Sequence, residues 1–267
     1  MPRVDIDAQV IRNEILSRNI FHLTLSASEI ARNAKPGQFC MLSVNDKLRL
    51  DPLLRRPFSI FDVGTGGEID FLYSVAGRGT NILSQKKKDD YVRVMGPLGR
   101  GFGSGQGEHA ILVGGGMGAA PLHFLAKGLK NGFSVVLGAK TKDELPVVPA
   151  FKALTTRLMI ATEDGSLDRM GLVTAPLEEE LAALTGGGTA AAGCLIYACG
   201  PWPMMRAVHQ IAAKFGIRCE ASLETKMACG IGVCLGCAVK KAEGGYIHVC
   251  KDGPVVDSRQ IDWEARM

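Results

Sequence analysis

Residues Cys229-Gly230-Ile231-Gly232-Val233-Cys234-Leu235-Gly236-Cys237, closed by Cys250, form the pattern C-x4-C-x2-C-x12-C near the C-terminus. Clusters of the [2Fe–2S] type take four cysteine ligands, and one established spacing is C-x4-C-x2-C with a distant fourth cysteine. Glycines at 230, 232 and 236 let the loop adopt positive φ and approach the bridging sulfides closely. Loop N–H groups would then donate hydrogen bonds to the sulfur atoms. The pattern predicts a [2Fe–2S] cluster held by Cys229, Cys234, Cys237 and Cys250.

Other uses of these thiols remain open. A structural zinc ion usually takes two C-x2-C pairs, and here only Cys234 and Cys237 form such a pair. A disulfide requires an oxidising compartment, which nothing else in the chain suggests. Eight cysteines with four committed to a cluster fit a reducing cytoplasm. The remaining thiols at Cys40, Cys194 and Cys219 lie among apolar residues, so we expect them to be buried.

The bulk composition is that of an ordinary globular protein. Its 267 residues suffice for two compact domains and a small third piece, and they are 46% hydrophobic and 22% charged. A net charge of +4 is too small to indicate a nucleic-acid partner. No run approaches the ~18 apolar residues of a membrane-spanning helix, and the N-terminus lacks the apolar core of a signal peptide. We therefore expect a cytoplasmic protein that binds neither nucleic acid nor membrane.

Many short strands with few helical signals characterise the N-terminal part. Two alternating strands, Asp7–Ile15 and Ile20–Leu25, are joined by a polar turn. Further strands are predicted at Gln38–Val44, Asp51–Asp62, Gly67–Val75 and Tyr91–Val94, with turns at Gly64–Gly67 and Gly96–Gly99. This arrangement is typical of a small antiparallel barrel. We predict an all-β barrel domain over residues 1–103, ending in the glycine-rich linker 100–107.

Strands alternate with helices in the rest of the chain, which predicts a doubly wound parallel sheet of the α/β class over residues 104–218. The predicted strands are Ala110–Val113, Ser134–Ala139, Leu158–Thr162 and Leu195–Cys199; Phe151–Leu154 continues the alternation, and the predicted helices are Pro121–Asn131, Leu172–Leu184 and Pro203–Phe215. The segment Cys219–Leu223 leads out of this sheet into a small cluster domain over residues 219–267.

The segment Arg55-Arg56-Pro57-Phe58-Ser59-Ile60 lies on a predicted barrel strand. An arginine can hold a phosphate through two hydrogen bonds and a permanent charge. A serine three residues later could serve flavin N5, the atom at which hydride arrives. An edge strand with a surface arginine and a proline that interrupts pairing explains the same residues without a ligand. Both interpretations remain open for this segment alone.

A second glycine-rich turn lies between Tyr73 and Asn81, where Gly77 and Gly79 precede Thr80. At the start of a helix, such a turn would present backbone N–H groups to a pyrophosphate. A plain glycine turn with a helix cap is the alternative.

The run Gly114-Gly115-Gly116-Met117-Gly118 is a predicted tight turn between a strand and a helix, as a dinucleotide-binding loop requires. It departs from G-x-G-x-x-G because Pro121 occupies the third glycine position. The next strand, Ser134–Ala139, is followed by Lys140 and Lys142 rather than by an acidic residue. The choice between NAD and NADP therefore stays open.

Two further turns follow predicted strands of the sheet. Ligands bind beyond the carboxyl ends of such strands, so Cys199-Gly200-Pro201 is a candidate to border a nicotinamide. Thr162–Ser166 could meet the adenosine half in the same way. A simple strand–helix turn is the alternative. The isolated histidines at 109, 123 and 209 are expected to be structural.

These stretches together resemble the ferredoxin–NADP reductase superfamily, in which a flavin barrel with R-P-x-S precedes a nicotinamide domain with G-G-G-x-G and C-G-P. More narrowly, essentially the whole chain is similar to the electron-transfer subunits of class B dihydroorotate dehydrogenases. The most specific residues are Ser222-Leu223-Glu224, Met227–Cys237 and the exit Cys250–Val255. Asp168 departs from the family's T-x-D-G-S-x-G pattern, where glycine is expected, and the segment 185–193 looks particular to this chain.

The resemblance implies roles for these residues. FAD would be held by Arg56, Pro57, Phe58 and Ser59, assisted by Tyr73, Ser74, Val75, Gly79 and Thr80. The cluster would be held by Cys229, Cys234, Cys237 and Cys250. From the loops described above, we expect NAD(H) at Gly114, Gly115, Gly116, Gly118, Cys199, Gly200 and Pro201.

A heteromeric enzyme of pyrimidine biosynthesis is also implied by the resemblance. An FMN-containing partner subunit would oxidise dihydroorotate to orotate, and this chain would carry the electrons through [2Fe–2S] and FAD to NAD+, in a heterotetramer of two plus two chains. The residues agree in form, because hydride transfer moves two electrons whereas a cluster accepts one at a time, so a flavin is needed between them. No residue here resembles a general base for a substrate proton, so no catalytic residue is expected in this chain.

Two rival functions remain. A homologous flavin and iron–sulfur subunit of a hydrogenase, sulfide dehydrogenase or ferredoxin:NADP transhydrogenase would carry similar motifs, although the four cysteine ligands and the exit Cys250–Pro254 favour dihydroorotate dehydrogenase. A zinc-bearing nucleotide-binding module without redox activity would be colourless. Flavin with [2Fe–2S] would instead give a yellow-brown protein that NADH bleaches.

Overall fold

Six antiparallel strands close into a barrel in the order β1-β2-β5-β4-β3-β6, which confirms the predicted architecture of the N-terminal part. The computed structural model describes residues 3–44, 51–103, 105, 108–130, 132–186 and 193–265. The barrel elements are β1 (Val4–Ser17), β2 (Ile20–Ser26), α1 (Ser28–Ala31), β3 (Phe39–Ser43), β4 (Arg56–Val63), β5 (Glu68–Ser74), α2 (Arg78–Ser84) and β6 (Tyr91–Leu98).

Alternating side chains of these strands fill the barrel interior. Leu23, Leu25, Ile60 and Phe71 are fully buried there, and Phe58 and Tyr73 extend the same cluster toward one rim. Burial of such side chains stabilises the fold by about 1.5–3 kcal/mol each. The barrel core therefore holds β4 and β5, which carry the predicted flavin residues, in a fixed position.

Two predicted boundaries in the barrel are wrong by four residues or more, and β1 (Val4–Ser17) also extends beyond the predicted Asp7–Ile15. The strand predicted to begin at Asp51 begins at Arg56, because the backbone bends at Asp51, Pro52 and Leu54. The predicted turn at Gly96–Gly99 is largely strand, because β6 continues to Leu98. A Cβ on Gly96 would lie 2.4 Å from Cys40 Sγ, so this glycine permits close packing rather than a turn.

The second unit is a seven-stranded sheet in the order β10-β9-β8-β7-β11-β12-β15, in which β15 (Val255–Asp257) comes from the C-terminal part. The sheet is parallel except for β15, which confirms the predicted α/β class. Its elements are β7 (His109–Gly115), α3 (Ala119–Gly128), β8 (Phe133–Ala139), α4 (Val148–Lys152), β9 (Leu158–Thr162), β10 (Arg169–Met170), α5 (Thr174–Thr185), β11 (Cys194–Cys199), α6 (Trp202–Lys214) and β12 (Arg218–Ser222). The order β9-β8-β7-β11 places a topological switch point beside β7, where such sheets bind ligands.

The glycine-rich turn is shorter than predicted. Gly114 and Gly115 complete β7, and a single 3-10 turn covers Gly116–Gly118. The following helix, predicted over Pro121–Asn131, begins at Ala119 and ends at Gly128, while Asn131 lies outside the described residues. Phe151, in the segment Phe151–Leu154 that continues the predicted alternation, lies in α4.

The C-terminal part remains tied to the sheet. It contains β13 (Ala238–Lys240), β14 (Tyr246–His248), α7 (Val249–Asp252) and β15 (Val255–Asp257). Strand β15 pairs antiparallel with β12, so the chain returns to the sheet after the cysteine loop. The domain limits at 103 and 218 stay predictions; the second lies at the first residue of β12. Most of the segment 185–193 and part of the linker 100–107 lie outside the described residues.

All eight cysteines are free thiols. Cys40 and Cys219 are buried as predicted, whereas Cys194 is only half-buried because it is the first residue of β11, at the end of the sheet. Among the residues described, no helix combines the length and the apolar character needed to cross a membrane.

Candidate functional site

A cavity of ≈ 240 Å³ lies at the rim of the barrel, where the barrel meets both the sheet and the C-terminal part. Five of the predicted FAD residues line it: Pro57, Phe58, Ser59, Tyr73 and Ser74. The remaining lining residues are Phe39, Leu72, Met117, Ala120, Leu223, Glu224, Thr225, Met227 and Pro254. Sequence segments far apart in the chain thus converge on one site.

Aromatic side chains form one wall of this cavity. The rings of Phe58 and Tyr73 meet edge to face, with centroids 5.7 Å apart. The Tyr73 hydroxyl donates a 2.9 Å hydrogen bond to Asn13 Oδ1. Burial raises the pKa of Tyr73 to about 12, so the phenol stays neutral at physiological pH. This wall is rigid and apolar, as a planar ring system requires.

The other four predicted FAD residues lie beside the cavity rather than in its lining. Arg56 packs over the start of α2, where a Cβ on Gly79 would lie 3.1 Å from the guanidinium Nε. Thr80 Oγ1 accepts hydrogen bonds from the N–H groups of Ala76 (2.9 Å) and Gly77 (3.2 Å). The Gly77 N–H, which was expected to face a pyrophosphate, is therefore already bonded to Thr80. The arginine and the glycine turn nonetheless lie beside each other.

Val75, the last of these four, follows β5 directly. Its N–H donates a 2.9 Å hydrogen bond to Asn19 O in the β1–β2 turn. The side chain packs against the barrel core, so the residue fixes the exit of β5.

The C-terminal part forms another wall of this cavity, with residues to which the sequence motifs give no role. Thr225 Oγ1 is buried and has no hydrogen-bond partner, and an unpaired buried hydroxyl costs about 1–3 kcal/mol. Glu224 lines the cavity with much of its side chain exposed to solvent, and desolvation by the surrounding protein raises the pKa of its carboxyl group. The Ser222-Leu223-Glu224 motif marked this segment in the sequence but gave no role for it.

These features fit a flavin ring. The site offers apolar and aromatic faces, the hydroxyl of Ser59 and the unpartnered hydroxyl of Thr225, which a ring with several hydrogen-bonding atoms can satisfy. Arg56 beside the glycine turn provides the cationic group that a pyrophosphate needs.

A second cavity, of ≈ 330 Å³, lies at the carboxyl ends of the parallel strands. Gly115, Gly116 and Pro201, three of the predicted NAD(H) residues, line it. The other lining residues are Gly138, Ala139, Lys140, Glu144, Glu163, Gly171, Leu172, Val173, Thr174, Pro203, Met204 and Ala207. The cavity thus lies at the switch point where a dinucleotide is expected.

The remaining predicted NAD(H) residues, Gly114, Gly118, Cys199 and Gly200, do not line this cavity but pack beneath it. A Cβ on Gly118 would lie 2.3 Å from Cys199 O, so only glycine allows the 3-10 turn to rest on the end of β11. Cys199 is fully buried, and desolvation raises the pKa of its thiol above the usual range. These residues therefore fix the conformation of the glycine loop without lining the cavity.

The turn after β9, a candidate for the adenosine half, is fixed by local hydrogen bonds. Ser166 Oγ donates to Asp164 Oδ1 (2.6 Å) and accepts from the Lys142 N–H (2.8 Å), which joins this turn to the one after β8. Asp168 adopts φ +60°, a left-handed conformation that glycine adopts without strain. The family's expected glycine and the observed backbone therefore agree, although the residue differs.

The three isolated histidines have structural partners. His109 Nε2 lies 2.8 Å from Ser134 Oγ, and His209 Nδ1 lies 3.0 Å from Ser258 Oγ. The His123 ring stacks on Phe61 with centroids 4.4 Å apart. Burial lowers the pKa of each imidazole, which favours the neutral form.

The cysteine loop has the open backbone that the pattern predicts, with one difference. Gly230 and Gly232 adopt φ +71° and +80°, but the third left-handed residue is Leu235 (φ +59°) rather than Gly236. Leu235 is 56% exposed. Its side chain therefore projects into solvent at the point where the backbone takes the left-handed conformation.

Backbone N–H groups point at the sulfur atoms. The N–H groups of Ile231 and Cys234 lie 3.4 Å from Cys229 Sγ, and the Gly232 N–H lies 3.1 Å from Cys250 Sγ. Sulfur atoms held by N–H donors are stabilised as thiolates, the form that binds metal. Desolvation raises the pKa of Cys229, but the hydrogen bonds from the Cys234 and Ile231 backbone outweigh it and lower the pKa to about 6.

The four thiols are arranged as two pairs. Cys237 Sγ and Cys250 Sγ lie 3.2 Å apart, and Cys234 interacts with Cys229 through its side chain and its N–H. Burial, together with the neighbouring Cys237 thiol, raises the pKa of Cys250 to about 12. Across the described chain, no three His, Cys, Asp or Glu side chains are grouped to hold one metal ion. Pairs suit a [2Fe–2S] cluster, in which each iron takes two protein ligands.

Comparison with known families agrees with this geometry. Residues 224–262 match the model of the iron-sulfur cluster binding domain of dihydroorotate dehydrogenase B, and the matched range contains all four cysteines of the loop. The segment also includes Glu224 and Thr225 of the first cavity.

Relatives that match nearly the whole chain are named as subunits of the same enzyme, dihydroorotate dehydrogenase B. The chain is 37% identical to the dihydroorotate dehydrogenase B (NAD(+)) electron transfer subunit of Caldanaerobacter subterraneus subsp. tengcongensis, with 97% of this chain and 99% of the relative covered. It is 39% identical to the subunit of the same name from Desulforamulus reducens, with 97% and 98% covered.

Solved structures share the fold. A structure of an NADH-dependent reduced ferredoxin-NADP oxidoreductase superposes with a TM-score of 0.82 at 28% identity, covering 96% of this chain and 90% of that one. A ferredoxin NADP+ reductase from Neisseria gonorrhoeae gives a TM-score of 0.64 at 13% identity, covering 79% and 92%. The chain therefore belongs to the family of dihydroorotate dehydrogenase B (NAD(+)) electron transfer subunits.

Proposed function

We propose that this chain carries electrons within an NAD-dependent dihydroorotate dehydrogenase. An FMN-containing catalytic subunit oxidises dihydroorotate, and the electrons pass through the [2Fe–2S] cluster and FAD of this chain to NAD+. The chain is then an oxidoreductase subunit without a catalytic residue for the substrate itself. When bound, FAD exchanges hydride with NAD(H) and single electrons with a cluster.

One observation carries the proposal: both flanks of the cysteine loop line the first cavity, at the rim of the barrel, which is called the flavin cavity from here on. Met227, two positions before Cys229, and Pro254, four positions after Cys250, both lie in its wall. Gly230 packs against Met41 and Leu98 of the barrel, where an added Cβ would lie 2.5 Å from Met41 Cγ. The loop is thereby held directly against the barrel.

The second cavity, at the carboxyl ends of the parallel strands, is called the nucleotide cavity, and it shares a chain segment with the flavin cavity. Met117 and Ala120 line the flavin cavity, whereas Gly115 and Gly116 line the nucleotide cavity. A single loop at the end of β7 therefore borders both. Ser59, on β4, lines the flavin cavity, where its hydroxyl would hydrogen-bond an edge of the bound flavin ring.

Exposed apolar side chains on the outer face of the cysteine loop favour the binding of a partner subunit. Val233 is 74% exposed and Leu235 is 56% exposed, on either side of the exposed Cys234. Exposed apolar side chains beside a redox centre suit docking of a second protein. We infer an FMN-containing partner, two copies of each chain in the complex, and a cytoplasmic location where free thiols persist.

The test is to isolate the native complex anaerobically and assay what its other chain oxidises. We expect dihydroorotate-dependent reduction of NAD+, and native mass spectrometry is expected to give two copies of each chain. A partner that is inert toward dihydroorotate but active with ferredoxin would contradict the proposal and support a transhydrogenase subunit.

A further inference from the structure

An acidic side chain reaches the end of β8, although the sequence places lysines there. Glu144 ends the 3-10 turn Lys142–Glu144 that follows β8. Its carboxylate folds back, and the Lys140 N–H donates a 3.1 Å hydrogen bond to Glu144 Oε2. A carboxylate has about four lone-pair sites for hydrogen bonds, so this bond leaves capacity for a ligand.

The carboxylate also lies beside the glycine loop in the lining of the nucleotide cavity. A Cβ on Gly116, which adopts φ +52°, would lie 4.0 Å from Glu144 Oε2. Glu144 lines this cavity and also an adjoining groove of ≈ 640 Å³ that runs toward Arg18 and Asn19 of the β1–β2 turn. The side chain therefore stands between the nucleotide cavity and the open groove.

The charges around the cavity favour a neutral ribose over a phosphorylated one. Its ionisable lining residues are Lys140, Glu144 and Glu163, and Asp143 and Asp164 line the adjoining groove with Arg18 and Lys142. A ribose hydroxyl can donate a hydrogen bond to a carboxylate. A phosphate monoester instead carries a charge of about −1.5 to −2 at pH 7, and like charges at a binding site lower affinity.

We propose that Glu144 is a specificity-determining residue that selects NAD(H) over NADP(H). Its carboxylate accepts a hydrogen bond from a ribose hydroxyl of the adenosine half and repels a 2′-phosphate. The inference rests on the proposed function, since it takes the cavity at the ends of β7 and β8 as the dinucleotide site. Glu144 thereby favours NAD over NADP, a choice that Lys140 and Lys142 leave open in the sequence.

The test uses two fragments, 5′-AMP and 2′,5′-ADP, titrated calorimetrically into the protein with its cofactors bound. Wild type is expected to bind 5′-AMP at least about tenfold more tightly than 2′,5′-ADP. Glu144→Gln keeps the size of the side chain and an oxygen for the Lys140 N–H but removes the charge. It should reduce the preference to about threefold or less, mainly by strengthening the binding of 2′,5′-ADP.

Glu243→Gln is the matched control, because it removes the same unit of charge at an exposed position of the C-terminal hairpin. It should leave the wild-type preference unchanged, since Glu243 lines neither the nucleotide cavity nor the adjoining groove, and salt screens exposed charges. An unchanged preference in Glu144→Gln, or a wild type that prefers 2′,5′-ADP, would overturn the role of Glu144. Dihydroorotate-dependent NAD+ reduction by the native complex, measured separately, shows whether the proposed function itself holds.

Discussion

Cys237 Sγ and Cys250 Sγ lie 3.2 Å apart, although 13 positions separate the two residues in the chain. The hairpin of β13 and β14 spans the gap, and the Val249 N–H donates a 3.1 Å hydrogen bond to Cys237 O. The hairpin therefore places the distant fourth thiol beside the loop that supplies the other three. This relationship underlies the assignment of the cluster site.

Replacing one thiol should remove the cluster without removing the flavin. Cys234→Ser takes away an exposed ligand of the loop, whereas the aromatic wall of the flavin cavity belongs to the barrel. We expect the iron content and the low-temperature EPR signal of the reduced cluster to be lost while FAD stays bound at the wild-type ratio. Cys194→Ser, at a half-buried thiol outside the loop, should retain both cofactors. Loss of FAD together with iron would contradict the separation of the two sites.

Packing of the cysteine loop against the barrel can be tested with two glycines of positive φ. Gly244→Ala adds only backbone strain, about 1–2 kcal/mol, because no atom lies within 4 Å of the new Cβ. Gly230→Ala adds the same strain and also presses on the fully buried Met41, at a further cost of about 1–3 kcal/mol. Urea unfolding should therefore rank Gly230→Ala below Gly244→Ala in stability, with slower electron transfer from the cluster to FAD. Equal losses would show that the loop does not depend on this contact.

The unpartnered hydroxyl of Thr225 should be satisfied by the flavin. Thr225→Val keeps the shape of the side chain but removes the hydroxyl, so we expect FAD affinity to fall about two- to tenfold. The FAD-free protein should melt at the same or a higher temperature, because a buried unpaired group has been removed. Thr225→Ser should restore FAD affinity. Unchanged affinity combined with a lower melting temperature would mean that Thr225 serves only the fold.

The Ser59 hydroxyl should matter more for hydride transfer than for FAD binding. Ser59→Ala removes one hydrogen bond at the ring edge, and we expect NADH-to-flavin transfer to slow about 10- to 100-fold, while FAD affinity changes less. Stopped-flow absorbance of the flavin measures the rate directly. Ser26→Ala, the same change at an exposed position, is the control. Identical rates in Ser59→Ala and wild type would refute the role.

Much of the architecture could be predicted because it depends on local patterns. The spacing of the four cysteines, the strand alternation of the barrel and the βα repeats of the sheet are all local features of the sequence. Arg56, Pro57, Phe58 and Ser59 could be named as flavin candidates because a short motif contains them.

What could not be predicted depends on contacts between distant segments. The sequence around Gly96 predicts a turn, whereas in the fold this glycine packs against Cys40, whose Sγ would lie 2.4 Å from an added Cβ. Glu224 and Thr225 follow the end of β12 directly, and only the fold brings that end to the barrel residues of the flavin cavity. The sequence places Glu144 beyond two lysines, and a 3-10 turn is needed to bring its carboxylate back to the Lys140 N–H.

The central claim is that electrons pass between a bound flavin and an iron–sulfur cluster in this chain. Anaerobic titration of the purified protein with NADH, with iron and acid-labile sulfide measured on the same sample, tests it most directly. We predict about two iron and two sulfide per chain, bleaching of the yellow-brown colour, and the EPR signal of a reduced cluster. A protein that contains neither iron nor sulfide, or whose cluster stays oxidised while the flavin is reduced, would contradict the account.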